Sequence, residues 1–263
     1  MVNHKSNNEK NTDIKPNLSF GNSILILGAK SKIAKALASL YAKNGYNLIL
    51  AGRNIENDLK DFIEQIKNKY NIQIMVKELD ILTFSSHEKF YNSIKQKPIG
   101  VISFIGLIAS QLDNDSTFSN KQLLLNTNFL GVMNIIDIIS EDFQNKKSGW
   151  ITAISSIAAE RARGENFIYA ASKSALNTFM EGKRIALLPY NVQISTIKLG
   201  PVNTPMIKDF KYPQFLISHP SKIAKKIYKI QQTKYSVKYL PSYWKFVMLI
   251  LKNLPEKLYC RII

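Results

Sequence analysis

Short apolar runs alternate with longer amphipathic stretches along most of this chain. Short apolar runs are typical of buried strands, and apolar residues at helical spacing are typical of helices that pack on one face. The predicted strands are Ser23–Leu27, Asn47–Ala51, Ile72–Lys77, Gly100–Ile105, Gly149–Ser155, Val192–Lys198 and Tyr235–Leu240. The predicted helices are Lys32–Lys43, Ile55–Tyr70, Thr83–Ile94, Leu123–Asp142 and Phe167–Leu188. This alternation predicts an α/β fold, a doubly wound parallel sheet of about seven strands with helices on both faces.

The pattern changes after the last predicted strand, in residues 242–263. An uncharged apolar run, Phe246–Leu251, follows Trp244 and is itself followed by further apolar residues. Four basic residues are interleaved with them: Lys245, Lys252, Lys257 and Arg261. The run is too short to span a bilayer. We therefore expect this tail either to lie in a membrane interface or to cover a subunit surface.

Length and composition constrain the rest of the chain. With 263 residues, it suits one α/β domain, which we expect to comprise residues 20–241. Residues 1–19 are rich in asparagine and lysine and lack the apolar core of a secretory signal, so we expect a disordered leader. The single cysteine, Cys260, excludes an internal disulfide and is compatible with a reducing compartment such as the cytoplasm.

The net charge of +17 would suit an anionic partner. Lysine and asparagine are abundant throughout the chain, however, and no nucleic-acid-binding motif accompanies the charge. We therefore expect no nucleic-acid partner, and the sequence predicts no metal site.

Tyr169 and Lys173 lie four residues apart in a predicted helix, so their side chains share one face. A phenol titrates at about 10 in water, and a neighbouring ammonium favours the phenolate and lowers that pKa. The pair therefore suits proton exchange with a carbonyl or an alcohol. The same spacing is common on solvated helix faces, so the surrounding sequence has to decide between the two interpretations.

The first predicted strand runs into a glycine turn that opens the first helix. Gly28, Lys30, Ser31 and Ile33 lie in this turn, where backbone N–H groups and the helix dipole can hold a pyrophosphate. Only the first glycine of the three-glycine dinucleotide pattern is present, and Lys32 occupies the second position.

The ends of the next strands add candidates for cofactor binding. Arg53 stands where an NAD site usually has an acidic residue, and with Lys30 nearby it suits the 2′-phosphate of NADP. Asp80 ends the third strand, where it could accept a hydrogen bond from the adenine amine. Gly106 follows the fourth strand, where the nicotinamide ribose would pass. These residues predict NADPH as the cofactor, with a solvated arginine at position 53 as the alternative.

In combination these residues resemble the short-chain dehydrogenase/reductase (SDR) family. The resemblance covers about Ile24 to Met206. Its motif residues are Asn128 in mid-chain, Ser156 thirteen residues before Tyr169, the pair Tyr169 and Lys173, Gly106, and a loop with Val202 and Thr204. The resemblance implies a Rossmann-type fold and an oxidoreductase.

It also implies roles for the motif residues. Ser156 would polarise the substrate carbonyl, and Tyr169 would deliver the proton. Lys173 would lower the phenol pKa and hold the ribose hydroxyls of the cofactor. Ser155 is an alternative to Ser156, although the spacing to Tyr169 favours Ser156.

The remaining motif residues would support this chemistry. Asn128 would anchor a water that relays protons, unless it is an ordinary buried helix asparagine. Val202 and Thr204 would hold the carboxamide of the cofactor. Family members commonly form dimers and tetramers through the helices that carry Asn128 and Tyr169, which implies a homo-oligomer.

One branch of the family is a closer match, the branch with the reductase of decaprenylphosphoryl 2-keto-pentose. Its features here are the single-glycine turn, the segment Glu160–Asn166 before the tyrosine, and the tail. This implies a lipid-linked keto-sugar, a cell-wall precursor, as substrate, a flavin-dependent oxidase as partner, and a cytoplasmic protein in peripheral contact with the inner face of the membrane. Arg161 and Arg163 would meet a phosphate of the substrate, or else they are surface charges.

Three functions stay open at this point. The first is an NADPH-dependent reductase of a lipid-linked keto-sugar, and the second is a soluble carbonyl or 3-oxoacyl reductase of the same family. The third is a non-catalytic binding protein, which Lys32 suggests because its side chain could block the cofactor turn.

Overall fold

Seven strands form one parallel sheet in the described part of the chain. They are β1 Ser23–Leu27, β2 Asn47–Gly52, β3 Ile74–Glu78, β4 Gly100–Ser103, β5 Trp150–Ser156, β6 Gln193–Leu199 and β7 Val237–Leu240, in the order β3-β2-β1-β4-β5-β6-β7. The structure is a computed structural model and describes residues 22–108, 117–210, 212–233 and 235–261. The predicted α/β fold is confirmed, and the leader predicted for residues 1–19 lies outside the described residues.

The five predicted helices occur in order, with two differences in their extent, and the last three helices of the described chain were not predicted. They are α1 Lys32–Lys43, α2 Ile55–Lys69, α3 His87–Asn92, α4 Phe118–Leu125, α5 Gly131–Lys146, α6 Phe167–Leu187, α7 Pro220–Gln231, α8 Trp244–Asn253 and α9 Glu256–Tyr259. The single helix predicted over Thr83–Ile94 is wrong in part, because a 3-10 turn at Phe84–Ser86 precedes a short α3. Ser86 Oγ donates a hydrogen bond to the Thr83 carbonyl at 2.7 Å, a local bond that competes with helix geometry.

Helices cover both faces of the sheet because the strand residues alternate between two cores. In β1, Ile24 and Ile26 belong to the core beneath α1, α2 and α7. Leu25 and Leu27 belong to the core on the other face, beneath α3, α5 and α6. Strands buried on both faces explain the continuous apolar runs in the sequence.

The second difference is a longer central helix. α4 and α5 are continuous through a π-helical stretch, Asn126–Leu130, so the helix predicted over Leu123–Asp142 extends further at both ends. By length and mean hydropathy, Phe118–Lys146 is the one described helix long and apolar enough to cross a membrane. Ile135 and Ile139 of α5 are fully buried in the core, so the segment serves as a core helix of the fold.

The C-terminal segment packs against the carboxyl edge of the sheet. Trp244 and Met248 of α8 are buried. The indole of Trp244 occupies the space above Gly200, where a Cβ atom would overlap the ring. Glycine at position 200 therefore allows α8 to approach the end of β6.

Candidate active site

A cavity of about 730 Å³ opens at the carboxyl ends of the central strands. In open parallel sheets, ligands bind in the crevice at this edge. The turn after β1 and the end of β2 line one part, including Gly28 and Arg53, which we call the cofactor side. The segments after β5 and β6 and helix α8 line the other part, including Met206 and Trp244, which we call the substrate side.

Tyr169 of α6 lines the cavity and is almost fully buried. Ser156, the last residue of β5, lies close enough to Tyr169 to lower the pKa of its phenol, and Ser156 Oγ accepts from the Ala158 N–H at 3.1 Å. Ser155 lines the cavity too, but its hydroxyl has no hydrogen-bond partner among the described residues. The pairing with Tyr169 therefore favours Ser156 over Ser155.

Burial dominates the pKa of Tyr169. It raises the pKa to about 12, and the hydrogen bond with Ser156 offsets only part of this rise. The lowering of the phenol pKa by Lys173 stays a prediction, and desolvation of the phenolate is the largest effect on this pKa in the structure. Tyr169 carries its proton at neutral pH, as a proton donor must.

Lys173 is buried beside Tyr169, and its Nζ donates to the carbonyls of Ile105 at 3.2 Å and Ile154 at 3.3 Å. Burial lowers the pKa of Lys173 to about 8. A Cβ atom on Gly106 would lie 3.3 Å from this Nζ, so glycine keeps the space in front of the ammonium open. A buried ammonium held only by carbonyls favours a ligand that brings further acceptors.

Asn128, fully buried in the π-helical stretch, fixes the segment after β4. Its Oδ1 accepts from the Leu107 N–H at 2.6 Å, and its Nδ2 donates to the Leu107 carbonyl at 2.8 Å and to Ser172 Oγ at 3.1 Å. Asn128 thus joins the segment that carries Gly106 to the helix that carries Lys173. The water relay inferred from the family stays a prediction.

The turn after β1 has the geometry of a phosphate cradle. Gly28 has φ +73°, and a Cβ atom there would lie 3.0 Å from the Ile105 nitrogen, so the position requires glycine. Ser31 precedes α1 and makes no side-chain capping bond, which leaves N–H groups of the first turn available to an anion. Ser31 and Ile33 line the cavity, and Lys32 also lines it with an exposed side chain.

The cofactor side is strongly basic. Four cationic residues line it: Lys30, Lys32, Lys35 and Arg53. Lys30 forms a salt bridge with Asp58 at 2.5 Å, whereas Arg53 is exposed and has no salt bridge within the described ranges. Asp80 does not line the cavity, and its Oδ1 accepts from the Leu82 N–H at 3.1 Å.

The loop after β6 closes the cavity between its two sides. Val202 and Thr204 both line it, and Thr204 Oγ1 donates to the Val202 carbonyl at 3.2 Å. The structure therefore brings all of the sequence-predicted site residues except Asp80 and Asn128 to the cavity wall, and Asn128 supports that wall through Leu107.

A family model described as short chain dehydrogenase matches residues 22–214. The chain belongs to the short chain dehydrogenase family. The matched segment contains Ser156, Tyr169 and Lys173, and it identifies the protein as an oxidoreductase.

Relatives within the family agree with this assignment. An uncharacterized oxidoreductase of Listeria monocytogenes is 30% identical over 191 residues, which cover 70% of this chain and 76% of the relative. A 7beta-hydroxysteroid dehydrogenase of Mediterraneibacter gnavus is 24% identical over 189 residues, 72% of each chain. The structure of a short-chain dehydrogenase from Sphingobium yanoikuyae in complex with NADPH has a TM-score of 0.76 and 16% identity, over 89% of this chain and 96% of that one. This last likeness supports the short chain dehydrogenase fold.

The part of the cavity wall beyond the family match comes from the tail. Trp244, Met248, Leu251 and Tyr259 line the substrate side. From the sequence, we expected this tail at a membrane or a subunit surface, and its part in the cavity wall was not predicted. The spacing of Trp244, Met248 and Leu251 along one helix face was the available signal.

Arg161 ties this wall to the segment after β5. Its Nη1 donates to the carbonyls of Leu251 at 2.5 Å, Lys252 at 3.2 Å and Leu254 at 2.6 Å. Its guanidinium also lies 4.1 Å from the ring centroid of Tyr259. Arg161 Nη1 thus satisfies free carbonyls at the end of α8. Arg161 also lines the cavity, and the contact of its other N–H groups with a substrate phosphate stays a prediction.

Two other residues of the same segment line the cavity. Arg163 lines the cavity 5.7 Å from the ring centroid of Tyr212, and no carboxylate forms a salt bridge with it within the described ranges. Asn166, which was not predicted as a site residue, is buried at the cavity, and its Oδ1 lacks a hydrogen-bond partner among the described residues. The guanidinium of Arg163 suits an anion, and Oδ1 of Asn166 suits a hydroxyl donor.

Proposed function

We propose that this protein is an NADP(H)-dependent reductase of a keto group on a lipid-linked substrate. The specific candidate is a lipid-linked keto-sugar of the decaprenylphospho-2-keto-pentose type. The observation that carries the proposal is that Ser156 and Tyr169 share one cavity with the apolar wall of Trp244, Met248 and Leu251. Such a cavity suits a reactive carbonyl attached to a large apolar group.

The residues of the site supply binding and proton transfer. When bound, the nicotinamide cofactor supplies the hydride that adds to the carbonyl carbon. Ser156 donates a hydrogen bond to the carbonyl oxygen and stabilises the negative charge that develops there. Tyr169 transfers its phenolic proton to the same oxygen, which completes the alcohol. The ammonium of Lys173 stabilises the phenolate that remains.

The cofactor side fits an anionic dinucleotide. The open N-terminus of α1 and the cradle at Gly28 suit a pyrophosphate. The exposed guanidinium of Arg53 suits the additional 2′-phosphate of NADP. The Sphingobium yanoikuyae neighbour, whose complex contains NADPH, is consistent with this choice.

Replacing Arg53 with alanine should weaken NADPH binding about 10- to 100-fold, because a charge-assisted hydrogen bond contributes about 1.5–3 kcal/mol. NADH binding should change little, since NADH has no 2′-phosphate. Fluorescence titration with both cofactors measures the two dissociation constants. The matched control is Lys60→Ala, which removes an exposed cation of α2 outside the cavity. Equal weakening of NADPH and NADH would refute the 2′-phosphate role.

The substrate class is tested by NADPH consumption with the full-length protein. The substrates compared are a lipid-linked keto-sugar, a 3-oxoacyl thioester and small soluble ketones. We expect the highest kcat/KM for the lipid-linked compound. Efficient reduction of the soluble ketones with no turnover of the lipid-linked compound would overturn the proposal.

Shortening the apolar wall tests its contact with the substrate. Met248→Ala should raise KM for the lipid-linked substrate about tenfold, because about 50 Å² of lost apolar contact corresponds to about 1.3 kcal/mol. Its KM for a small ketone should hardly change. Met75→Ala, at a half-exposed position of β3 away from the cavity, is the control. An equal rise in KM for both substrates would mean that the wall does not touch the apolar group.

A soluble carbonyl or 3-oxoacyl reductase is the second candidate, because the same apolar wall suits an acyl chain or a fused-ring ketone. The Mediterraneibacter gnavus relative, a 7beta-hydroxysteroid dehydrogenase, favours it. Deleting residues 242–263 cannot separate the two candidates, since the deletion also removes the cavity wall. The substrate comparison above separates them. A protein that binds NADPH and reduces none of these compounds would support the non-catalytic alternative.

A further inference from the structure

Helix α8 is apolar on two opposite faces. Its inner face carries Trp244, Met248 and Leu251 and lines the cavity. Its outer face carries Phe246, Leu249 and Ile250, which are 69%, 63% and 64% exposed. Lys245 and Lys252 lie on one side of α8 between these two faces, and both are exposed. The large apolar side chains of the outer face are thus not covered by the described residues.

The outer apolar face extends beyond these three residues. Tyr243, one turn before Phe246, is 39% exposed, and Leu258 of α9 is 46% exposed. Large apolar side chains concentrated on one short segment of a protein surface mark an interaction site. None of the outer-face residues of α8 lines the cavity, so covering them leaves the cavity wall in place.

The charges around this face are basic. Lys245, Lys257 and Arg261 are exposed in the same segment, against the single acidic residue Glu256. The ammonium of Lys252 is already paired with Glu160 at 2.7 Å. Apolar side chains flanked by lysine and arginine are the pattern of helices that lie in the interface of an anionic bilayer. If a second copy of the chain covered the same face, its lysine and arginine residues would lie close to those of the first copy. Repulsion between these like charges disfavours such a dimer.

We propose that the outer face of α8 docks on an anionic lipid bilayer and holds the substrate side of the cavity at the membrane surface. α8 would then lie between the bilayer and the cavity, with its outer face in the bilayer interface and its inner face in the cavity wall. The inference that docking gives access to a lipid-linked substrate rests on the proposed function. The binding of the protein to a bilayer does not depend on that function, and it can be measured without substrate.

The test is flotation of the full-length protein with vesicles of phosphatidylcholine alone or mixed with phosphatidylglycerol. We expect binding to the mixed vesicles that high salt weakens, and much less binding to phosphatidylcholine alone. The triple variant Phe246→Ser, Leu249→Ser, Ile250→Ser should lose at least about tenfold in partitioning, because its apolar contacts with the acyl boundary are removed. Its NADPH-dependent reduction of a small ketone should be unchanged, which verifies that it folds.

The matched control is Ile185→Ser with Leu188→Ser, at the end of α6, where the side chains are 70% and 75% exposed. This control should bind vesicles as the unmodified protein does. Docking would be overturned by no binding to anionic vesicles, by equal binding of the triple variant, or by equal binding to neutral vesicles. A dimer that the triple variant dissociates, seen by light scattering, would instead assign the face to a second copy and also overturn docking.

Docking and the proposed function fail separately. A protein that binds anionic vesicles but does not reduce the lipid-linked keto-sugar overturns the substrate assignment alone. A protein that reduces this substrate in detergent but does not bind vesicles overturns docking alone.

Discussion

Replacing Tyr169 with phenylalanine should lower kcat about a thousandfold, within the range of about 10² to 10⁴ that general acid catalysis contributes. The phenyl ring keeps the packing of this almost fully buried side chain, but it has no proton to transfer. NADPH binding should therefore be nearly unchanged. The loss of NADPH absorbance under substrate saturation measures kcat, and fluorescence titration measures the cofactor affinity.

A second tyrosine of the cavity provides the control. Tyr212 also lines the cavity, and burial raises its pKa as well, but it lies beside Arg163 rather than Ser156. Tyr212→Phe removes a phenol from the same cavity and should retain most of kcat. If Tyr169→Phe kept more than about a tenth of the original kcat, the assignment of Tyr169 as the proton donor would be wrong.

Replacing Glu160 with glutamine should reduce the free energy of unfolding by about 3 kcal/mol. Its carboxylate is 3% exposed and forms salt bridges with Lys198 of β6 and Lys252 of α8. Breaking a buried ion pair leaves a cation without its partner, which destabilises by about 3–5 kcal/mol. We expect the lower end of this energy range because Lys252, one of the two partners, is 50% exposed. Urea unfolding at neutral pH, followed by tryptophan fluorescence, measures the change.

The effect of Glu160→Gln should depend on pH in one direction. Burial acts to raise the pKa of Glu160, but the hydrogen bonds from Lys198 and Lys252 outweigh it and hold the pKa below its ordinary value of 4.5. The ion pairs therefore stabilise the fold fully above that value, and their contribution is lost as the pH falls through the lower, folded-state pKa. The two proteins should differ by a constant amount near neutral pH and converge in acid.

An exposed glutamate is the control for this effect. Glu64 of α2 is exposed, so Glu64→Gln should change the free energy of unfolding by less than about 0.5 kcal/mol. If Glu160→Gln behaved like Glu64→Gln at neutral pH, the bridge from β6 to α8 would not contribute to stability.

Local pattern was enough to predict the fold. β1 and α1 have the predicted bounds because their apolar spacing and the glycine between them act over a few residues. The break at Phe84–Ser86 and the π-helical stretch around Asn128 were not predicted, and side-chain hydrogen bonds of Ser86 and Asn128 accompany them. The bonds of Asn128 reach Leu107, 21 residues away, and no local pattern contains them.

The site residues that belong to a local motif could be predicted from the sequence, whereas contacts between distant segments could not. Ser156, Tyr169 and Lys173 lie on adjacent elements at motif spacing, and the structure brings them to one cavity. Arg161 was predicted to meet a phosphate because a guanidinium near an active site suits one. Its Nη1 donates to carbonyls about ninety residues later, Leu251 among them, and no local pattern contains these bonds. The pKa of Tyr169 could not be predicted either, because it depends on burial.

Helix α8 is among the last parts of the described chain to be synthesised. The cradle at Gly28 and the proposed catalytic residues Ser156 and Tyr169 all precede β7, so they leave the ribosome before α8 does. A ribosome that stops early therefore releases a chain that carries these residues but lacks the wall at Trp244 and the carbonyls to which Arg161 donates.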